Sequence, residues 1–164
     1  MSKRISKTLG IVSHDAGGAE ILSNWVKRNN KDTKFTFFLR GPAKKIFRRN
    51  LDINLVDQNE QTIQNFLDEI DLLICGTSWQ SSLEREFIFE AKKSKIKVIS
   101  ILDHWVNYRE RFIVNKSLVL PDEIWVCDEF AYKKAKDEFE GVTIKKVKNY
   151  YFESIRRKIT VIRK

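Results

Sequence analysis

Little in this chain staples or interrupts the backbone. Its 164 residues include only two cysteines, two prolines and six glycines, which excludes a disulfide scaffold and a proline-rich or glycine-rich disordered segment. Cys75 and Cys127 each close an apolar run, DLLIC and EIWVC, where a thiol serves as a small hydrophobe. Their separation has no metal-ligand spacing, so neither a metal nor a cofactor is expected. No stretch reaches the roughly 18 uncharged apolar residues of a membrane span. The basic start, MSKRISKTLG, runs directly into a strand-like segment and lacks the apolar core and cleavage site of a secretion signal. A cytoplasmic location follows as the expectation. What is present, 42% hydrophobic and 32% charged residues, is an ordinary globular balance. The length suits one domain, expected over residues 1–164 with a basic tail from about residue 153.

Acidic residues are also in short supply, 22 against 31 Lys and Arg, for a net charge of +9. Such a balance favours anionic partners. The positive charge gathers in Lys44, Lys45, Arg48 and Arg49, in Lys92, Lys93 and Lys95, and in a tail that includes Lys145, Lys146, Lys148, Arg156, Arg157 and Lys158. The first two groups fall on predicted helices and read as solvated faces. No aromatic platform interleaves with them as an RNA-binding sheet requires, so no nucleic acid is expected. Phosphorylated small molecules and peripheral contact with the anionic inner face of a membrane are.

Short apolar runs alternate with helical patterns along the chain. Residues 8–13, 34–40, 53–56, 71–75, 97–102, 123–127 and 143–147 read as strands, being short, rich in β-branched or aromatic residues and bounded by polar or Gly positions. Helical patterns occupy 16–29, 43–49, 60–70, 82–94 and 129–140. The alternation predicts an α/β fold, a Rossmann-like open and mainly parallel sheet of six or seven strands flanked by helices. In such sheets ligands bind beyond the carboxyl ends of the strands. Both histidines and four of the six glycines fall at predicted strand ends on that edge.

Three segments there carry chemistry. In SHDAGGAE, Gly17 and Gly18 let the backbone approach a ligand while the helix that follows offers free N–H groups to an anion. His14 is a candidate base or phosphate donor, and Asp15 either orients it or caps the helix. Neither a dinucleotide fingerprint nor a P-loop is formed. In CGTSWQSS, Thr77, Ser78 and Ser81 offer hydroxyls to a sugar or phosphate, or caps to the next helix. Trp79 either stacks on a ring or covers the sheet edge. LDHWVNYRERF is densest: Asp103 and His104 are candidate catalytic groups, Tyr108 a ligand contact, and Arg109 and Arg111 candidate phosphate forks. Gly41 closes another strand end and joins the expected ligand contacts.

The segments SHDAGGAE, GPAKKIF, GTSWQSSLE, DHWVNYRERF and LPDEIWVCDEFA resemble the amino-terminal half of bacterial surface-polysaccharide proteins with a GT-B glycosyltransferase-like organisation. These are related in layout to nucleotide-sugar 2-epimerases and polyol-phosphate transferases. The similarity covers roughly residues 8–152. It implies a site facing an interdomain cleft, His14 or Asp15 as the base, and a nucleotide sugar or polyol phosphate as substrate in cell-surface glycan synthesis. A donor-binding half would follow NYYFESIRRKI, so the expected partner is a separate donor domain or a second copy of the chain. The competing expectation is a non-catalytic module that binds a nucleotide or phosphorylated metabolite at the same strand ends.

Overall fold

The computed structural model describes residues 7–31, 33–51 and 61–162. Six strands form one parallel sheet: β1 (Thr8–Ser13), β2 (Lys34–Leu39), β3 (Leu72–Cys75), β4 (Lys97–Ile101), β7 (Glu123–Val126) and β8 (Thr143–Lys146). Between β4 and β7 a 3-10 turn (Glu110–Phe112) leads into a two-stranded hairpin, β5 (Ile113–Val114) and β6 (Ser117–Leu118). The hairpin turns on Asn115 and Lys116, both at positive φ (49° and 66°), the geometry that matches the twist of paired strands.

The order across the large sheet is β2-β1-β3-β4-β7-β8. From β1 the chain steps outward to β2, then returns across β1 to β3 and runs on in one direction. The order therefore reverses between β1 and β3, the point at which open α/β sheets hold their ligands.

Strands so placed must be apolar on both faces, and β1 shows the consequence. Ile11 and Val12 are adjacent and both fully buried, each joining a different core cluster. On the Ile11 side lie α1 (Ala16–Asn29) and α2 (Gly41–Leu51), which pack through Leu22, Val26, Ile46 and Phe47. The last helix, α6 (Tyr150–Ile162), lies along α1, with Arg28 over the Tyr150 ring at 5.7 Å. On the Val12 side lie α3 (Ile63–Leu67), α4 (Leu83–Lys93) and α5 (Glu129–Glu138). Phe38, Phe66 and Phe87 meet there edge to face, with centroids 4.7–5.6 Å apart, an arrangement favoured by the ring quadrupole.

The expected fold class is the observed one, with boundary changes. The predicted helix over 60–70 is helical only from Ile63 to Leu67, and the predicted strand over 53–56 lies outside the described residues. The supposed basic tail is α6, whose Tyr151, Ile155, Ile159 and Ile162 recur at helical spacing. Among the described residues no helix is long and apolar enough to cross a membrane.

Candidate functional site at the strand ends

At the carboxyl edge β1, β3 and β4 end side by side, Val12 opposite Cys75 and Cys75 opposite Ser100. The chain leaves β1 through His14 and Asp15. Asp15 is the N-cap residue of α1, yet its carboxylate makes no capping bond. It turns instead to the imidazole, with Oδ1 2.8 Å from His14 Nδ1. The far side of that ring rests on Gly41. A Cβ there would come within 2.8 Å of His14 Nε2, and Gly41 has φ +50°, so glycine is required both for space and for backbone conformation.

Beneath this pair sits a residue that sequence reasoning passed over as a first-turn acid. Glu84 is 1% exposed, and its Oε1 accepts the backbone N–H of His14 at 2.7 Å. Its Oε2 has no hydrogen-bond partner, nor has the buried Ser13 Oγ. Burial pushes the Glu84 carboxyl up to about 7 and Asp15 adds to the rise, against the backbone N–H groups that favour the charged form. The sequence around it, SSLE, reads as an ordinary helix start; its partner lies 70 positions away. Above Glu84 the turns after β1 and β3 touch backbone to backbone. A Cβ on Gly18 would lie 3.3 Å from the Gly76 Cα, so Gly18 serves close packing and the crevice between β1 and β3 is shut.

The hydroxyl-rich turn after β3 faces inward. Thr77 Oγ1 donates to Ile101 O at 2.9 Å. Ser78 Oγ accepts from the backbone N–H groups of Gln80 and Ser81, and Ser81 Oγ from that of Leu83. These hydroxyls build the turn, while Trp79 stands 51% exposed beside them. Arg111 is likewise structural. Buried, it donates from Nη1 to Asp103 Oδ1 (2.8 Å), Thr77 O (2.9 Å) and Thr77 Oγ1 (3.1 Å), and from Nε to Val106 O (3.2 Å). It ties the loop after β4 to the turn after β3 and presents no fork outward. Arg109 pairs with Glu138 at 3.7 Å. Tyr108 is buried and stacked on Phe139, in the core and not at a ligand surface.

A cleft of about 250 Å³ opens beside these turns, at the ends of β1, β4 and β7. Of the candidate residues, Gly17, Asp103 and His104 line it; His14, Thr77 and Ser78 are not among its walls. Trp105, Asp128, Asn149 and the first turn of α6, Tyr151 and Phe152, complete it. Asp128 does two jobs here. Its Oδ1 accepts Ala131 N–H to cap α5 (2.7 Å), and its Oδ2 accepts Trp105 Nε1–H (3.0 Å), fixing the indole. His104 Nδ1 accepts the Trp105 N–H at 3.0 Å, which places the proton of the neutral ring on Nε2. Cys127 faces the cleft as a thiol, pushed up to about 11 by burial and then by Asp128.

The charge at this edge runs against the expectation of an anion at α1. Asp103 Oδ2 sits so near Gly17 that a Cβ there would come within 2.0 Å of it, its other oxygen being paired with Arg111, and Asp15 adjoins. Carboxylates already occupy the positive end of the helix dipole. Aromatic walls among carboxylates, an amide and an imidazole suit a neutral hydroxylated ring, stacked on its apolar face and hydrogen-bonded at its edges. Among the described residues no group of three His, Cys, Asp or Glu side chains is placed to hold a metal. No protein-family model matches the chain, and no curated protein sequence matches it.

Proposed function

We propose that this domain acts in the assembly of cell-surface glycans at the cytoplasmic face of the membrane. It receives the sugar or polyol ring that accepts a nucleotide-activated sugar or polyol phosphate, and His14 is the base. The observation that carries the reading is the His14–Asp15 pair at the end of β1, 2.8 Å apart; His14 does not wall the cleft of Trp105, Tyr151 and Phe152, so the acceptor extends from that cleft past Gly17 to the imidazole. Asp15 holds Nδ1–H and leaves Nε2 to take the proton of a hydroxyl. The freed oxygen attacks the anomeric carbon or phosphorus of the donor, and the nucleoside phosphate leaves with the bonding electrons. Asp15 then stabilises the imidazolium. The carboxylates around α1 favour a neutral acceptor on this domain, with the donor phosphates held by a second domain or a second copy of the chain.

One observation favours the alternative, a binding module without chemistry: His14, the candidate base, is not among the walls of the cleft. Thermal unfolding against a panel of free sugars, polyols, nucleotide sugars and CDP-polyols separates the two. A ligand at a hundred times its dissociation constant stabilises by about 2.7 kcal/mol. Under the transferase reading, His14→Ala lowers turnover by at least about a hundredfold and leaves acceptor binding intact, whereas Trp105→Ala weakens binding. An active His14→Ala protein removes the base, and a wild type that binds without turnover leaves the module.

A further inference from the structure

We propose that the helical layer formed by α1, α2 and α6 is a docking surface for an anionic membrane. The two faces of the sheet differ sharply in charge. α1, α2 and α6 carry nine Lys and Arg, from Lys27 and Arg28 through Lys45, Arg48 and Arg49 to the run 156–158, against Glu20 and Glu153 alone, a net +7. The opposite layer, α3, α4 and α5, carries six basic and six acidic residues, a net of zero. Among the helices that flank the sheet, the net positive charge thus lies on one side.

That side also bears unpartnered apolar surface. No residue of α6 is buried; Ile159, Val161 and Ile162 are 45%, 74% and 83% exposed. Phe152, Ile155, Ile159 and Ile162 recur at intervals of three and four, which gathers them on one stripe of the helix. Arg156 and Lys158 fall at its two borders. An apolar stripe bordered by cations is how a helix lies in a lipid interface, its side chains among the acyl chains and its charges at the headgroups. Nucleic acid would use the charge and leave the isoleucines idle. Because Tyr151 and Phe152 of α6 also wall the cleft, docking on this layer brings the cleft mouth to the bilayer. The surface is independent of any chemistry in the cleft.

The test is co-sedimentation of the full chain with sucrose-loaded vesicles of phosphatidylcholine, with and without phosphatidylglycerol. The chain is expected to pellet with the anionic vesicles, to remain in the supernatant with phosphatidylcholine alone, and to be released by molar salt. Each basic residue near the surface is worth about a fivefold change in partitioning, so Arg156→Gln with Lys158→Gln should lower binding about twenty-five-fold. Ile159→Asn with Ile162→Asn should lower it at least tenfold at unchanged charge. Circular dichroism and thermal unfolding verify that both variants fold. Equal binding to neutral vesicles, or none to anionic ones, overturns the proposal. So does binding to duplex DNA or RNA as tight as to anionic vesicles with the isoleucine variant unaffected, and so does self-association through the stripe without vesicle binding.

Discussion

Replacing Glu84 by glutamine should convert a pH-dependent stability into a flatter one. Glu84 is buried and its carboxyl is raised from 4.5 to about 7. Between those values the folded chain keeps the proton and the unfolded chain releases it. The unfolded state then binds fewer protons, so stability falls as pH rises through this window, by about 1.4 kcal/mol per pH unit, and levels off above it. The whole interval corresponds to about 3 kcal/mol, full stability lying below about pH 4.5 and the loss being complete above about pH 7. Glutamine keeps an oxygen for the His14 N–H and carries no charge. Glu84→Gln should therefore match the wild type near pH 4.5 and exceed it by up to about 3 kcal/mol near pH 8. Urea unfolding at about pH 5, 6, 7 and 8, analysed as the difference between the two proteins, isolates this one group from every other titration. A difference that does not change with pH would falsify the claim that Glu84 is the buried titrating group.

Arg111→Met leaves Asp103 and the Thr77 carbonyl without their donor and should cost about 3–5 kcal/mol in urea unfolding; a cost below about 1 would show the cross-tie to be dispensable. Asp128→Ala removes the α5 cap and should destabilise by about 1 kcal/mol, and the freed indole should show a changed tryptophan emission; an unchanged spectrum and stability count against both bonds. Gly41→Ala forces a side chain into a left-handed backbone and onto the His14 ring. It should cost about 1–2 kcal/mol and move the His14 ring signals in an NMR spectrum that holds only two histidines. Unmoved signals would mean that the ring does not rest there.

The sheet was legible because its strands obey a local rule. Buried on both faces, TLGIVS and DLLIC are apolar at consecutive positions, and turn residues bound them. The site was legible as a location and less so as a set of contacts. Strand ends predict that His14, Asp103 and His104 stand on one edge of the sheet, though only the last two share the cleft, and Thr77, Ser78 and Arg111 look the same in sequence whether they face a ligand or the protein. Thr77 and Arg111 find Ile101 and Asp103 only when β3 and β4 pair, whereas Ser78 bonds the nearby N–H groups of Gln80 and Ser81. Glu84 was hidden for the same reason, since its burial depends on β1 and α4 meeting. The α6 pattern is present in the sequence, where isoleucines at helical spacing are interleaved with a basic run.

The wall that α6 lends to the cleft is its least anchored part. A helix without a buried residue opens at small free-energy cost, independently of global unfolding. A ring packed against Tyr151 and Phe152 would favour the closed helix, and by linkage its binding would slow amide exchange in α6. The final helix would then be held by the molecule it helps to hold.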